Sequence, residues 1–128
     1  MPKISFTGTV FSGAGEGRKF IDLPWVKQQI EEKLGFTPYS GTLNIHLTKK
    51  SVTEKKQLKS VKTFEVCPQK NYCTGILVKA YIEGLECGII IPEVPKYPID
   101  VLEIIAPWYL REHLNLTDGS KVDVTVNV

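Results

Sequence analysis

The stretch Gly41-Thr42-Leu43-Asn44-Ile45-His46-Leu47 alternates between polar and apolar side chains. Successive side chains of a β-strand point to opposite faces, so this period of two predicts a strand with one apolar and one polar face. The apolar side chains are those of Leu43, Ile45 and Leu47. The polar side chains, which we expect on the opposite face, are those of Thr42, Asn44 and His46.

The same period of two recurs through most of the chain. Further strands are predicted over residues 4–11, 20–23, 63–66, 74–82, 87–91 and 121–128. In this prediction the glycine-rich segment 13–18 joins one strand to the next. About seven short strands with two short helices are typical of a closed β-barrel rather than of a βαβ sheet. We therefore expect one mainly β barrel domain over residues 1–128.

Two helices are predicted between the strands. Pro24 suits the first turn of a helix and Gly35 suits its C-cap, which places the first helix between them. Its apolar residues, four positions apart, are Val26, Ile30 and Leu34. We expect this helix to pack as a lid on the barrel, with Trp25 in the core rather than in contact with a ligand. A second, short helix is predicted over residues 108–114.

The composition limits the classes of function. A chain of 128 residues fits one domain with a substantial core, and a formal net charge of +2 is too small to indicate a nucleic-acid partner. No segment approaches the roughly 18 consecutive apolar residues of a membrane span. The first residues, Met1-Pro2-Lys3-Ile4, have no signal-peptide h-region. The expectation is a soluble, cytoplasmic protein without a membrane partner.

The three cysteines are Cys67, Cys73 and Cys87, an odd number without C-x-x-C spacing, so a zinc site is not expected. Cys67 and Cys73 flank a predicted hairpin loop, where a disulfide between them is geometrically conceivable. The preferred interpretation is that all three are reduced thiols in a cytosolic sheet.

The segment Gly13-Ala14-Gly15-Glu16-Gly17-Arg18 is dense in glycine and ends in an arginine. Glycine permits the positive φ angles of an anion-binding nest and leaves no Cβ in the way of a ligand, while Arg18 supplies a charge-assisted hydrogen bond to phosphate. The segment lacks the lysine and hydroxyl of a Walker A motif, and Arg18 stands where the dinucleotide fingerprint needs glycine. A phosphate site is the preferred interpretation, and a flexible hairpin loop is the alternative.

Thr42 and Asn44 lie two positions apart on the polar face of their strand, where both side-chain oxygens can reach one hard cation. Both ligands are neutral, so we expect Mg²⁺ to bind strongly only together with the phosphates of a nucleotide. His46 shares this face, but imidazole is a poor ligand for a hard magnesium ion, so His46 is not assigned to the metal.

The sequence leaves two alternative roles for each of two polar features. The segment 49–62 is rich in lysine, with Glu54 as its only acid and no interleaved aromatic residue. We expect a mobile, solvated loop there, and a loop that attracts a polyanionic ligand is the alternative. Glu103 precedes the apolar run 104–106 and is either a functional acid or a helix-entry or salt-bridge residue.

Three motifs follow one another along the chain. They are V-F-S-G-A-G-E-G-R-K-F at 10–20, L-G-F-x-P-Y-x-G-T-L-N-I at 34–45 and L-E-I-I-A-P-W-Y-L-R-E-H-L-N-L-x-D-G at 102–119. Taken together they resemble the archaeal CTP-dependent riboflavin kinases over nearly the whole chain. The resemblance implies a cradle-loop, RIFT-type β-barrel that transfers phosphate from CTP to the 5′-hydroxyl of riboflavin, giving FMN and CDP, with Mg²⁺ as cofactor.

The resemblance also implies roles for individual residues. Thr42 and Asn44 would bind Mg²⁺, and Glu103 would contact the flavin. The implied nucleotide-binding residues are Gly13, Ala14, Gly15, Glu16, Gly17, Arg18, Trp108, Tyr109, Leu110 and Arg111. No general base is assigned, since a loose phosphoryl-transfer transition state makes little demand for one. The implied partners are riboflavin or FMN and CTP or CDP, for a monomer that binds no nucleic acid.

One position departs from the family pattern. Members commonly carry a threonine in the flavin-side loop where this chain has Pro95, which offers neither a hydroxyl nor an N–H group. Lys96 and Tyr97 are the candidates to replace that contact. Two alternative functions stay open: a small β-barrel nucleic-acid-binding module of the swapped-hairpin type, favoured by the lysines, and a kinase for another small molecule.

Overall fold

The computed structural model describes residues 3–68 and 74–127, whose strands form one antiparallel sheet. The strands are β1 (Lys3–Phe11), β2 (Leu43–Leu47), β3 (Phe64–Val66), β4 (Gly75–Ile82), β5 (Leu85–Pro92), β6 (Val101–Ile105) and β7 (Lys121–Asn127). The helices are α1 (Glu16–Ile21), α2 (Pro24–Leu34), α3 (Lys49–Lys55) and α4 (Leu110–His113). A 3-10 helix (Lys56–Ser60) continues from α3.

The sheet closes on itself into a barrel. Its strands pair in the order β3-β4-β5-β6-β2-β1-β7, and β7 returns to pair with β4, where Ile82 lies opposite Val124. Six strands thus form a closed ring in which each has a neighbour on both sides. Strand β3 stays outside this ring as an additional strand on β4. The prediction of a mainly β fold built on a closed barrel is confirmed.

The barrel interior is filled by the apolar residues of the alternating pattern. Those from β1, β2 and β7 are Ile4, Phe6, Val10, Leu43, Ile45, Leu47, Val122, Val124 and Val126. Burial of each such side chain stabilises the fold by about 1.5–3 kcal/mol before the loss of conformational entropy is counted. Because the apolar face of β2 points inward, its polar face lies on the outer surface of the barrel.

Helix α2 covers part of that outer surface, as predicted. Its buried stripe packs in a second apolar cluster, whose members from α2 and the strands are Val26, Ile30, Leu34, Val66, Leu77, Ile90 and Ile105. Gly88 on β5 permits the close approach of the helix, because a Cβ atom there would lie 2.5 Å from Leu34 Cδ1. Residue 35, a glycine, caps the end of the helix as predicted.

The segment that follows the glycine-rich turn is helical, so the prediction of a strand over residues 20–23 is wrong. Ile21 at the end of α1 is fully buried, and Phe20 packs beside it against the second apolar cluster. An apolar run of this length does not distinguish a strand from one turn of buried helix, because both place apolar residues against a core. The turn therefore joins a strand to a helix.

The prediction of a mobile loop over the lysine-rich segment is also wrong. Thr48 caps α3, since its hydroxyl accepts a hydrogen bond from the Ser51 main-chain N–H at 3.2 Å. The Ser51 hydroxyl in turn accepts one from the main-chain N–H of Thr7 on β1 at 2.7 Å. Lys55 Nζ donates to the carbonyl of Val101 at 2.9 Å. These contacts fix the segment on the barrel.

The described residues contain four α-helices and one 3-10 helix, rather than two helices. Helix α4 confirms the second predicted helix in a shorter form. Strand β6 lies outside the predicted elements because all five of its residues are buried and its sequence does not alternate. Within the described ranges, no helix has the length and apolar character needed to cross a membrane.

The cysteines differ from one another. Cys87 is a free thiol in the barrel interior, where burial raises its pKa to about 12. Cys67 is disulfide-bonded, so the interpretation that all thiols are reduced is wrong for this residue. Cys73, with which a bridge was conceivable, lies outside the described residues.

Candidate active site

The glycine-rich turn lies against the polar face of β2. A Cβ atom at Gly13 would lie 2.7 Å from Asn44 Nδ2. A Cβ atom at Gly17 would collide with Thr42 Oγ1 and would lie 2.6 Å from Glu103 Oε1. A larger residue at either glycine would therefore push the turn away from the strand. The fold thus brings the predicted phosphate loop and the predicted metal ligands together on the outside of the barrel.

Gly15 sets the direction of the chain at this point. It adopts the left-handed conformation, with φ 86°, and is the N-cap of α1, which begins at Glu16. Residues with a Cβ atom are strained in this conformation, so glycine suits the position. The first N–H groups of a helix have no acceptors within it, and the turn therefore presents main-chain donors beside β2.

Glu103 is the buried acid of this region, with a relative exposure of 8%. In the β2–β6 register it pairs with Asn44, so the two side chains belong to one face of the sheet. Thr42 Oγ1 donates a hydrogen bond to Glu103 Oε1 at 2.8 Å. The hydroxyl of Tyr97 donates to Glu103 Oε2. Of the roles left open by the sequence, a helix-entry position is excluded, because Glu103 lies within a strand.

Tyr97 belongs to the segment between β5 and β6, and its phenol is held as a hydrogen-bond donor. Burial raises its pKa first, and the hydrogen bond to Glu103 and the negative charge of that carboxylate raise it further. Lys55 Nζ lies 5.4 Å from the centre of the Tyr97 ring. The pKa of Lys55 is lowered by burial, which outweighs the opposite effect of the charges on Asp100 and Glu103.

A polar cavity of about 910 Å³ opens over the glycine-rich turn. It brings together most of the residues predicted for the nucleotide and the metal. Those that line it are Gly13, Ala14, Gly15, Gly17, Arg18, Thr42, Asn44, Tyr109 and Arg111. Glu103, predicted to contact the flavin, lines it as well. His46 also lines this cavity and stacks on Phe11, with ring centres 4.3 Å apart.

An apolar cavity of about 600 Å³ lies next to the polar one. Its apolar lining residues are Phe20, Trp25, Ile90, Pro92 and Val94. The two cavities share four lining residues, which are Gly17, Thr42, Tyr97 and Glu103. Volumes of 300–1,000 Å³ are typical of sites for small molecules and cofactors. The pair therefore offers adjoining sites for one polar and one apolar ligand.

Two arginines line the polar cavity. Arg18 Nε donates to Ser40 Oγ at 3.2 Å. Arg111 Nη2 donates to Asp118 Oδ1 at 2.8 Å and to the carbonyl of Phe11 at 3.2 Å. The hydrogen bond from Arg111 lowers the pKa of Asp118. Arg111 thus ties the end of β1 to the turn before β7 while its charge borders the cavity.

The second predicted nucleotide segment is split between two surfaces. Tyr109 and Arg111 reach the polar cavity, and together with Trp108 and Leu110 they line a smaller cleft of about 60 Å³ beside it. The Tyr109 ring stacks on Tyr39, with ring centres 5.3 Å apart. Trp108 stacks instead on His113.

The donor set fits a divalent cation only if a second ligand supplies negative charge. Within residues 3–68 and 74–127, no group of three or more His, Cys, Asp or Glu side chains could hold a metal ion. Thr42 and Asn44 offer a hydroxyl and an amide oxygen, and Thr42 is hydrogen-bonded to the acid Glu103. Hard cations such as Mg²⁺ accept this set together with phosphate oxygens.

The apolar cavity was not indicated by the sequence. Phe20 was assigned to a strand, which is wrong, and Trp25 to the core. Both side chains are half-buried and pack against the second apolar cluster, with their rings in an edge-to-face contact, and both also line the apolar cavity. Lys55 was assigned to a mobile loop. No local signal reveals these positions, because each depends on how a helix packs on the barrel.

Comparison with known proteins identifies the family. The family model CTP-dep_RFKase, described as domain of unknown function DUF120, matches residues 10–126. A riboflavin kinase of Pyrobaculum islandicum is 40% identical over 127 residues, which cover 96% of this chain and 60% of that protein. A riboflavin kinase of Methanocorpusculum labreanum is 38% identical over 125 residues, covering 94% of this chain and 56% of that protein.

A third relative gives the same result. A riboflavin kinase of Archaeoglobus fulgidus is 37% identical over 127 residues, covering 96% of this chain and 54% of that protein. The chain thus spans somewhat more than half the length of the curated relatives that it matches. Since the family model covers nearly all of the chain, this protein belongs to the archaeal CTP-dependent riboflavin kinase family.

Proposed function

We propose that this chain transfers the γ-phosphate of CTP to the 5′-hydroxyl of riboflavin, giving FMN and CDP. The observation that carries the proposal is the shared wall of Gly17, Thr42, Tyr97 and Glu103 between a polar and an apolar cavity. A kinase for an aromatic acceptor must bring a triphosphate and that acceptor together at one point. The relatives named riboflavin kinase support the acceptor, and the name of the family model supports CTP as donor.

The polar cavity suits the nucleotide. Main-chain N–H groups of the glycine-rich turn and the guanidinium groups of Arg18 and Arg111 favour phosphate oxygens. We assign nucleotide binding to Gly13, Ala14, Gly15, Glu16, Gly17, Arg18, Trp108, Tyr109, Leu110 and Arg111. The exposed rings of Tyr109 and its neighbour Trp108 border the cleft beside this cavity. We expect the base and ribose of the nucleotide to extend from the phosphates into this cleft.

Kinases generally use a divalent metal, and we propose Mg²⁺ held by Thr42 and Asn44. When bound, the ion neutralises charge on the transferring phosphate. Because both ligands are neutral, the metal is expected to arrive with the nucleotide. The Thr42 hydroxyl donates a hydrogen bond to Glu103. The lone pairs of Thr42 Oγ1 point away from that bond and stay available to the metal.

The apolar cavity suits the isoalloxazine ring of the acceptor. Phe20 and Trp25 offer aromatic faces and edges, and Val94 and Pro92 offer aliphatic surface. Glu103 lies at the wall toward the polar cavity, where it can accept a hydrogen bond from a ribityl hydroxyl. Pro95 offers no donor there, so the polar contacts fall to the neighbouring residues of the loop.

In this proposal the residues of the chain position the two ligands, offset phosphate charge and exclude water. Gly13 and Gly17 let the phosphate loop lie directly on β2, Arg18 offsets phosphate charge, and the apolar walls exclude water from the point of transfer. Since residues of one chain line both cavities, we propose that residues 1–128 act as a single domain and as a monomer.

The test is product formation. The purified chain is incubated with riboflavin, Mg²⁺ and each of the four ribonucleoside triphosphates in turn, and FMN is measured by chromatography. FMN with CTP alone is the expected result. FMN formed equally well with ATP would overturn the assignment of the donor, and no FMN with any donor would overturn the assignment of the acceptor.

A further inference from the structure

We propose that Tyr97 and Lys55 are positioning residues for the acceptor site. Tyr97 fixes the carboxylate of Glu103 at the wall between the two cavities, and Lys55 fixes the ring of Tyr97. The inference rests on the proposed function, because it assigns how the acceptor contact of Glu103 is oriented. Neither residue is required to touch the nucleotide.

The first support is the pair of hydrogen bonds on Glu103. Oε1 accepts from Thr42 and Oε2 accepts from Tyr97, so the plane of the carboxylate is fixed at both oxygens. Each carboxylate oxygen has two acceptor positions, and one on each therefore stays available to a ligand. Without Tyr97, a single bond to Thr42 would leave the carboxylate free to rotate.

The second support is the place of Tyr97 in the site. It lines both cavities, and its side chain comes from the segment between β5 and β6 rather than from the barrel itself. A hydrogen bond to the barrel residue Glu103 therefore also holds this segment over the apolar cavity. The raised pKa of the phenol keeps it a donor at neutral pH.

The third support is Lys55, which contacts both parts of this arrangement. Its Nζ donates to the carbonyl of Val101, two residues before Glu103, at 2.9 Å. The same atom lies 5.4 Å from the centre of the Tyr97 ring, a distance at which a cation is attracted to an aromatic face. Helix α3 thus links the start of β6 with the ring that fixes the carboxylate.

The experiment measures riboflavin and CDP affinity separately, by flavin fluorescence and by calorimetry. Tyr97→Phe removes one hydroxyl and should weaken riboflavin binding by about tenfold or more, the effect expected for a hydrogen bond to a charged group, with CDP affinity unchanged. Lys55→Met should weaken riboflavin binding in the same direction by a smaller factor. Tyr81→Phe, the same change on β4 with no part in either cavity, should change neither affinity.

The Glu103→Ala variant distinguishes a positioning role of Tyr97 from a general structural role. If Tyr97 acts through Glu103, then Tyr97→Phe in the Glu103→Ala background should change riboflavin affinity by less than about twofold. An equal loss in both backgrounds, or a parallel loss of CDP affinity, would overturn the inference. A wild-type chain that binds no riboflavin would overturn the proposed function as well, whereas normal binding by both wild type and Tyr97→Phe would overturn this inference alone.

Discussion

Asn44 on β2 lies directly opposite Glu103 on β6. Opposite residues of an antiparallel pair project from the same face, so an amide and a carboxyl group share one small surface. Thr42, which immediately precedes β2, donates a hydrogen bond to the same carboxyl group. Asn44 and the proposed acceptor contact are therefore neighbours by the register of the sheet.

This arrangement predicts that Asn44→Ala removes the effect of magnesium on nucleotide binding. In the wild type, Mg²⁺ should tighten CDP binding, because the amide oxygen and the phosphates share the ion. In the variant, CDP affinity should be nearly the same with Mg²⁺ as without it, and turnover should fall on the order of 100-fold. Calorimetric titrations of CDP with and without Mg²⁺ measure the difference.

The matched control is His46→Ala, on the same face and lining the same cavity. It should retain the magnesium effect, because imidazole is not expected to bind this metal. An Asn44→Ala variant that still binds CDP more tightly with Mg²⁺ would remove Asn44 from the metal site.

Gly17→Ala should impair catalysis without a matching loss of stability. The added Cβ would meet the hydroxyl of Thr42 and would lie 2.6 Å from Glu103 Oε1, so the turn must move away from β2. A displacement near 1 Å at such a position costs about 100-fold in rate. Steady-state kinetics and thermal unfolding of the same preparation test this expectation.

Gly75→Ala serves as the comparison, because a Cβ there would be no closer than 3.5 Å to its neighbours. It should retain most of the activity. Equal activity of the two alanine variants would show that the close approach of Gly17 to β2 is not needed.

The strands were largely predictable because their signal is local. In β1, β2 and β7, apolar residues alternate with polar ones, since one face enters the barrel and the other meets solvent. In β6 both faces are covered, so the alternation disappears and the strand cannot be recognised from its own residues. The helix α3 is similarly hidden, because Ser51 and Lys55 are fixed by partners far away in sequence.

Residues of the polar cavity could also be singled out from the sequence, for a different reason. Glycines at 13, 15 and 17 suit a phosphate-binding nest and the pair Thr42 and Asn44 suits a hard cation, and all five line that cavity. That these two groups meet could not be derived, because it depends on the barrel register. The apolar cavity could not be predicted at all: Phe20 and Trp25 have the same sequence signature whether they face a core or a ligand.

The ion pair of Arg111 and Asp118 predicts a pH dependence of stability. Arg111 lowers the pKa of Asp118 in the folded state. The stabilisation is therefore complete above the ordinary aspartate value of about 3.9 and is lost as the pH falls through the lower folded value. Asp118→Asn should lower the melting temperature at pH 7 and approach the wild type near pH 2. Because Asp118 is exposed to solvent, the shift in melting temperature should be small.

Thermal unfolding between pH 2 and pH 7 measures this dependence. In an Arg111→Gln background, Asp118→Asn should have a smaller pH-dependent effect, because the hydrogen bond and charge of Arg111 are gone and only the hydrogen bonds from Ser12 Oγ still lower the pKa of Asp118. A difference between wild type and Asp118→Asn that persists unchanged at pH 2 would contradict the prediction.

Cys87 should be unreactive toward alkylating agents in the folded protein. Burial in the barrel interior raises its pKa to about 12, so the thiolate fraction at pH 8.5 is lower than in the unfolded chain by on the order of 10³. The same shift means that the unfolded state releases this proton first as the pH rises, so stability declines above pH 9 or so. Mass spectrometry after iodoacetamide treatment, with and without denaturant, measures modification at Cys87. Packing around Cys87 also excludes the reagent, so modification should occur only after global unfolding. Equal modification rates in the folded and the unfolded chain would mean that the barrel opens locally around β5.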